Sequence, residues 1–137
     1  MDKKMILVIT NDGTVFNKET GICSAYDMFG GRVTEVKELY RRIKEAKADD
    51  GSNLVVASMG IISTFFGFVP SDYSIQRYNR VMSNKEEYEY VQTRKDYLGK
   101  IQFTCRPFDR IIVCVPKDMF RMMLDFDTFP EKKVIAV

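Results

Sequence analysis

Histidine is absent from this chain of 137 residues. Because Ser-His-Asp and Cys-His nucleophile systems both need an imidazole, the sequence excludes them. Metal sites with histidine ligands are excluded for the same reason, and the sequence predicts neither a metal site nor a bound cofactor. Any general acid or base must therefore be Asp, Glu, Lys, Tyr or Cys.

Cysteine is scarce, with only Cys23, Cys105 and Cys114, which lie far apart in the chain. No C-x-x-C pair occurs, so a zinc ribbon or a thioredoxin-type motif is excluded. We predict that the three cysteines are buried free thiols, because free cysteine packs as a small apolar residue.

Long apolar runs and a strong net charge are also missing. No run approaches the roughly 20 apolar residues that span a bilayer, so the sequence predicts no membrane partner. Residues 1–4 lead directly into a strand-like run without a signal-peptide pattern, which makes the cytoplasm the expected location. The net charge of +2 is too small to argue for nucleic acid from bulk electrostatics.

The composition, 45% hydrophobic and 29% charged, suits one globular domain over residues 1–137. Apolar runs at residues 4–10 and 53–57 predict buried strands on either side of an amphipathic helix at 33–47, which is a β-α-β unit. Similar patterns predict a strand at 110–115, a helix at 117–126 and a strand at 133–137 after a break at Pro130. We expect an α/β fold: a single three-layer domain with a mostly parallel sheet of four to five strands and helices on both faces.

The remaining segments are less regular. Residues 11–31 and 58–83 read as long loops, the second with short irregular pieces. Ser83 and Glu86 match a capping box that starts a helix over residues 84–98, and Gly99 is the expected C-terminal cap. A short strand is predicted at residues 101–105.

Small polar residues follow both predicted strands of the β-α-β unit. Asn11, Asp12 and Gly13 follow the first, and Ser58 and Gly60 follow the second. Since ligands of open α/β sheets bind outside the carboxyl ends of the strands, we predict a site there. Asp12 is the candidate catalytic base and the other four are candidate ligand-binding residues, although Asn-Asp-Gly is also an ordinary turn sequence.

The Ser58 segment permits close approach of the backbone to a ligand. It lacks the preceding glycine of a nucleophile elbow. Without a histidine to activate the hydroxyl, we predict that Ser58 binds a ligand and does not attack it.

Two further segments complete the predicted pocket. Gly30 and Gly31 precede the first long helix, where free amides can bind an anion, although neither G-x-G-x-x-G nor a Walker pattern is present. Gly30 and, in the same segment, Ser24 are candidate ligand-binding residues. Tyr73, Tyr78 and Asn79 lie in the second loop. Their aromatic rings could stack on a base, or they could simply anchor the loop against the core.

Together these segments resemble the small α/β domains related to YaaA-type peroxide-stress proteins and to domains found with tRNA-modifying transglycosylases. Residues 25–31 read AYDMFGG, residues 57–62 ASMGII, residues 69–72 VPSD and residues 78–79 YN. The match covers roughly residues 5–82. It departs from the family pattern in a shorter serine-to-glycine interval, and Asn11-Asp12-Gly13 replaces a loop that usually carries cysteine and lysine. The resemblance implies an α/β domain with a nucleotide or nucleic-acid link, and it implies no particular reaction.

Three hypotheses follow. The first is a domain that binds a nucleotide or a nucleic-acid component at residues 11–13, 24–30, 58–61 and 73–79. The second is an enzyme acting on a nucleotide or base, with Asp12 as general base and Ser58 or Tyr78 orienting the substrate. The third is a protein-interaction module that forms a homodimer through the aromatic surface around residues 65–68.

Overall fold

The computed structural model describes residues 3–129 and 133–137, so the predicted break at Pro130 lies outside the described residues. In chain order the strands are β1 (Lys4–Asn11), β2 (Ile22–Ser24), β3 (Val55–Ser63), β4 (Gly67–Pro70), β5 (Ser74–Gln76), β6 (Arg110–Cys114) and β7 (Val134–Ala136). The helices are α1 (Ala25–Met28), α2 (Arg32–Glu45), α3 (Lys85–Lys95), α4 (Tyr97–Thr104) and α5 (Lys117–Asp125).

Five strands form one sheet in the order β4-β3-β1-β6-β7, while β2 and β5 pair separately. Strand β1 pairs in parallel with both β3 and β6, and β6 pairs in parallel with β7. Only the β3–β4 pair of this sheet is antiparallel. The predicted α/β class and the mostly parallel sheet are confirmed.

Strand β1 contributes to two separate hydrophobic clusters, because successive side chains of a strand point in opposite directions. Leu7 and Ile9 belong to a cluster that includes buried residues of α3, α4 and α5. Val8 belongs to the other cluster, together with Val33 and Val36 of α2. The parallel strands are buried on both sides, which explains the unbroken apolar run in the sequence.

The second predicted strand is longer than expected, and its predicted end at residue 57 is wrong. Strand β3 continues through Gly60 to Ser63 and then folds back into β4. Gly60 does not end the strand: a Cβ built there would lie 2.3 Å from the Phe68 ring on β4. The glycine thus makes room for the Phe68 ring. Glycine is found inside strands at such sites, where another group approaches the backbone closely.

The predicted strand at residues 101–105 is also wrong, because this segment lies in helix α4. Gly99 is not a cap but an interior residue of the same helix. The break between α3 and α4 falls at Asp96, whose φ of 48° is left-handed. The Asp96 carboxylate accepts the Gly99 amide at 3.1 Å, so one residue both ends α3 and starts α4.

Both predicted long loops contain regular structure. Residues 11–31 include β2 and α1, and residues 58–83 include the second half of β3, β4 and β5. The N-cap of α3 is Asn84 instead of Ser83, and the Asn84 side chain accepts the Glu87 amide at 3.0 Å. The capping pattern is therefore displaced by one residue from the predicted box.

Candidate functional site

The side chain of Asp12 joins the carboxyl ends of β1 and β3. It is 1% exposed, and its Oδ2 accepts the backbone amide of Thr64 at 2.7 Å. The Tyr78 hydroxyl donates to the same oxygen and accepts a hydrogen bond from Ser63 Oγ at 2.9 Å. Within the described residues, Oδ1 of Asp12 has no hydrogen-bond partner.

Burial raises the pKa of the Asp12 carboxyl above its usual value of 3.8, while the hydrogen bonds from Tyr78 and Thr64 oppose this rise. Burial and the neighbouring carboxyl also raise the pKa of the Tyr78 hydroxyl, so Tyr78 stays protonated. A protonated Tyr78 is a hydrogen-bond donor to Asp12 throughout the physiological range.

A second polar cluster lies at the ends of β1 and β6. Arg32, in the first turn of α2, donates to Asn11 Oδ1 at 2.5 Å and to the Asn11 carbonyl at 3.3 Å. It also donates to Thr10 Oγ1 at 3.4 Å and to the Cys114 carbonyl at 3.5 Å. The guanidinium therefore ties α2 to the strand ends through neutral oxygen acceptors.

Aromatic rings surround Tyr78. Phe65 stacks on it with ring centroids 6.0 Å apart and planes 22° from parallel. Phe16, Phe29 and Phe66 approach it more steeply, with centroid distances of 5.2, 6.3 and 6.1 Å. The ring of Tyr78 is thus packed while its hydroxyl remains in the polar cluster, the arrangement that a buried tyrosine favours.

A groove of about 720 Å³ starts at Thr64, directly after β3, and runs along helix α3. We call it the aromatic groove. It combines apolar, aromatic and charged side chains, and its lining residues are Thr64, Phe65, Arg80, Met82, Glu86, Glu87, Tyr90, Val91, Arg94 and Lys95.

Two exposed rings of the aromatic groove each carry a cation. Phe65 is 54% exposed and Tyr90 is 60% exposed. Lys95 Nζ lies 5.6 Å from the centroid of Phe65, and the Arg94 guanidinium lies 5.2 Å from that of Tyr90. Both separations allow a cation–π contact.

The acidic side of the aromatic groove is partly neutralised. Arg80 forms an ion pair with Glu87. The hydrogen bond from Arg80, together with those from Ser83, lowers the pKa of Glu87 to about 2. Of the charged lining residues, Arg94 and Lys95 lie over rings instead of carboxylates.

A smaller cavity of about 400 Å³ shares Thr64, Phe65 and Arg80 with the aromatic groove. Arg77, Tyr78 and Asn79 line its other side, and the Arg77 guanidinium lies 5.1 Å from the Phe16 ring centroid. The two cavities therefore share the exposed ring of Phe65.

Several predicted site residues are brought together. Asn11 and Asp12 lie at the carboxyl end of β1, Tyr78 contacts Asp12, and Asn79 lines the smaller cavity. Gly13 lies near Gly30, since a Cβ built on Gly13 would be 3.9 Å from the Gly30 carbonyl oxygen. Their roles in ligand binding remain predictions.

The other predicted residues lie elsewhere. Ser58 and Gly60 do not follow a strand: they pair with Leu7 and Ile9 in the middle of the sheet. Ser58 is five residues before the end of β3, or about 16 Å at the usual rise of a strand. The predicted position of both residues after the end of the second strand is therefore wrong.

Ser24 and Tyr73 belong to the small β2–β5 region. The Ser24 hydroxyl caps α1 by accepting the Asp27 amide at 3.1 Å, and Ser24 and Ser58 line a separate polar cavity of about 610 Å³. Tyr73 is 50% exposed and its carbonyl accepts the Ala25 amide at 2.8 Å. Neither residue contributes to the aromatic groove.

Five residues around the site were not predicted from the sequence: Ser63, Thr64, Tyr90, Arg94 and Lys95. Ser63 and Thr64 would have been found if residues 54–62 had been read as one strand, since polar residues follow that run. Tyr90 and Arg94 are four residues apart on a helix, a spacing that places them on one face. The contact between Lys95 and Phe65 is a tertiary feature.

No family model matches this chain, and neither a curated protein nor a solved structure matches it significantly. In the described ranges, no group of three or more Cys, Asp or Glu side chains is placed to hold a metal ion. None of the helices described there has the length and apolar character needed to cross a membrane.

Proposed function

We propose that this protein binds a nucleotide or a single-stranded nucleic-acid segment in the aromatic groove. The observation that carries the proposal is the pairing of two exposed rings with two cations, Phe65 with Lys95 and Tyr90 with Arg94. Aromatic rings stack on bases of any sequence, and nearby cations attract the phosphate backbone. The aromatic groove supplies both kinds of contact, from helix α3 and from Phe65 in the turn after β3.

The proposal takes the domain to have three layers, with helices on both faces of the sheet, because β1 contributes to two separate hydrophobic clusters. The aromatic groove then lies beside the carboxyl end of β3, where α/β sheets bind ligands. The resemblance to domains linked to tRNA modification favours the same class of ligand.

The general-base hypothesis for Asp12 has less support. Asp12 is not among the residues that line the aromatic groove, and its Oδ2 is occupied by Thr64 and Tyr78. Ser58, one of the two predicted orienting residues, lies in the interior of β3. Tyr78, the other, does contact Asp12, but its hydroxyl donates to the carboxyl that would act as the base. The homodimer hypothesis is also weakened, because Phe68 is only 9% exposed and leaves Phe65 as the exposed ring of that patch.

Fluorescence anisotropy of labelled oligo-dT and oligo-U of about 12 nucleotides, within the site sizes of single-strand binders, tests the proposal. Unlabelled mononucleotides serve as competitors and show whether one nucleotide is sufficient. We expect binding by the wild-type protein. Tyr90→Ala should weaken it roughly 5- to 150-fold, since stacking of one base contributes about 1–3 kcal/mol.

Phe103→Ala is the matched control, because Phe103 is also exposed, at 67%. It too lies under a cation, with Arg106 at 5.0 Å, but it is outside the aromatic groove. Its affinity should equal that of the wild type. Equal losses in Tyr90→Ala and Phe103→Ala, or the absence of any binding to oligonucleotides and mononucleotides, would contradict the proposal.

A further inference from the structure

Asp12 is hydrogen-bonded to the turn that carries Phe65. The backbone amide of Thr64 donates to Asp12 Oδ2 across 52 positions of sequence. The Tyr78 hydroxyl donates to the same oxygen across 66 positions. One buried carboxylate oxygen thus connects the end of β1 with two segments that are remote from it in the chain.

Ser63 extends these contacts into the turn itself. Its Oγ accepts the backbone amides of Phe65 at 3.3 Å and Phe66 at 3.0 Å. Its hydroxyl proton is donated to Tyr78 at 2.9 Å. Ser63 thus donates to Tyr78, and Tyr78 donates to Asp12, so the direction in which each hydroxyl donates its proton is defined.

The same network reaches the wall of the aromatic groove. Phe65 stacks on the ring of Tyr78, and Thr64 Oγ1 accepts the backbone amide of Met82 at 2.9 Å. Thr64, Phe65 and Met82 all line the aromatic groove. Asp12 does not line the groove. It is hydrogen-bonded directly to Thr64, and it is connected to Phe65 through Tyr78 and to Met82 through Thr64.

We propose that Asp12 is a positioning residue, which holds the 63–66 turn so that Phe65 presents its ring to the ligand. The proposal rests on the proposed function of the aromatic groove. It gives a reason for placing a hydrogen-bond acceptor at a site that is 1% exposed, where a buried polar group without partners is unfavourable. It also separates Asp12 from the acid–base role that its position first indicated.

The test compares Asp12→Ala, Phe65→Ala and the double variant in the oligo-dT anisotropy assay. We expect each single variant to weaken binding at least tenfold. The double variant should bind no more weakly than Phe65→Ala alone, because residues that act through one another are not additive. Asp12→Asn, whose amide oxygen can accept the same two hydrogen bonds, should recover wild-type affinity to within about threefold.

Amide hydrogen exchange provides an independent readout. Exchange at Thr64 and Phe65 should accelerate in Asp12→Ala, whereas the Ile112 amide in β6 should remain protected and report an intact sheet. If Asp12→Ala does not fold, Tyr78→Phe replaces it, since it removes the Tyr78–Asp12 bond and leaves the Thr64–Asp12 bond. The same non-additivity with Phe65→Ala is expected.

Two results would overturn the positioning role. One is additive losses in the double variant, and the other is wild-type affinity in Asp12→Ala. If the wild-type protein binds no oligonucleotide and no nucleotide, the proposed function fails instead. Hydrogen exchange then decides the role of Asp12, and unchanged exchange at Thr64 and Phe65 would exclude it.

Discussion

The Asp12 side chain connects several segments of the chain, but its carboxyl loses contact with water in doing so. Its carboxyl accepts hydrogen bonds from Thr64 and Tyr78, yet Oδ1 has no partner among the described residues. Loss of water at this site outweighs the two hydrogen bonds, so the pKa of Asp12 is raised. A group whose pKa is higher in the folded than in the unfolded protein stabilises the fold at low pH and loses that contribution as the pH rises.

This pKa shift predicts a pH-dependent difference between the wild type and Asp12→Asn. Asparagine does not ionise, so the variant lacks the loss of stability that begins near pH 3.8 and continues up to the raised native pKa. Across that window, the free energy of unfolding of the wild type should fall relative to the variant by up to about 1.4 kcal/mol per pH unit. Urea unfolding of both proteins at several pH values measures this difference, and a constant difference would contradict the raised pKa.

Helices α3 and α4 depend on a single junction residue. Asp96 has a left-handed backbone conformation, which aspartate tolerates better than most residues do. Its carboxylate caps α4 at Gly99 and also accepts Gln92 Nε2 at 2.9 Å. Because α3 carries Tyr90, Arg94 and Lys95, this junction also defines where the basic end of the aromatic groove lies.

Two substitutions of Asp96 test the importance of this junction for stability. Asp96→Ala should lower the free energy of unfolding by about 1–3 kcal/mol, through loss of the cap and the cost of a left-handed alanine. Asp96→Asn keeps a capping oxygen and tolerates the same conformation, so its stability should remain within about 0.5 kcal/mol of the wild type. Chemical denaturation measures both, and equal stability of the two variants would show that the cap contributes little.

At the scale of the whole molecule, positive and negative charges nearly balance. The chain has 21 basic and 19 acidic residues, so net charge alone supplies little attraction for a polyanion. Cations outnumber carboxylates around Phe65, where Arg77, Arg80, Arg94 and Lys95 line the two cavities that share this ring, against Glu86 and Glu87. Local placement of cations, and not the overall charge, should determine the electrostatic part of binding.

The salt dependence of oligo-dT binding tests this local effect. Each phosphate contact with a single strand contributes about 0.7 to the slope of log affinity against log salt concentration. Lys95→Ala should make that slope shallower by about this amount. Lys44→Ala is the control, because Lys44 also lies over a ring, 5.8 Å from the centroid of Tyr40, but on helix α2. Equal changes in the two variants would indicate that only the overall charge matters.

Much of the fold could be predicted from local patterns. Buried strands such as β1 and β6 appear as continuous apolar runs, and α2 appears as an apolar face repeated at helical spacing. The predicted elements were wrong where a tertiary contact outweighs the local sequence preference. Gly60 resembles a turn residue but accommodates Phe68 inside a strand, and the segment 101–105 resembles a strand but continues a helix capped by Asp96.

The sequence by itself determined the α/β class, the parallel pairing of β1 with β3 and the position of Asp12 at a strand end. These features depend on periodicity and on turn chemistry, which are properties of neighbouring residues. Only the tertiary structure decided that Asp12 is bonded to Thr64 and Tyr78, and that Phe65 and Tyr90 face one groove. These side-chain contacts arise from the packing of whole elements against one another, and no local pattern in the chain encodes them.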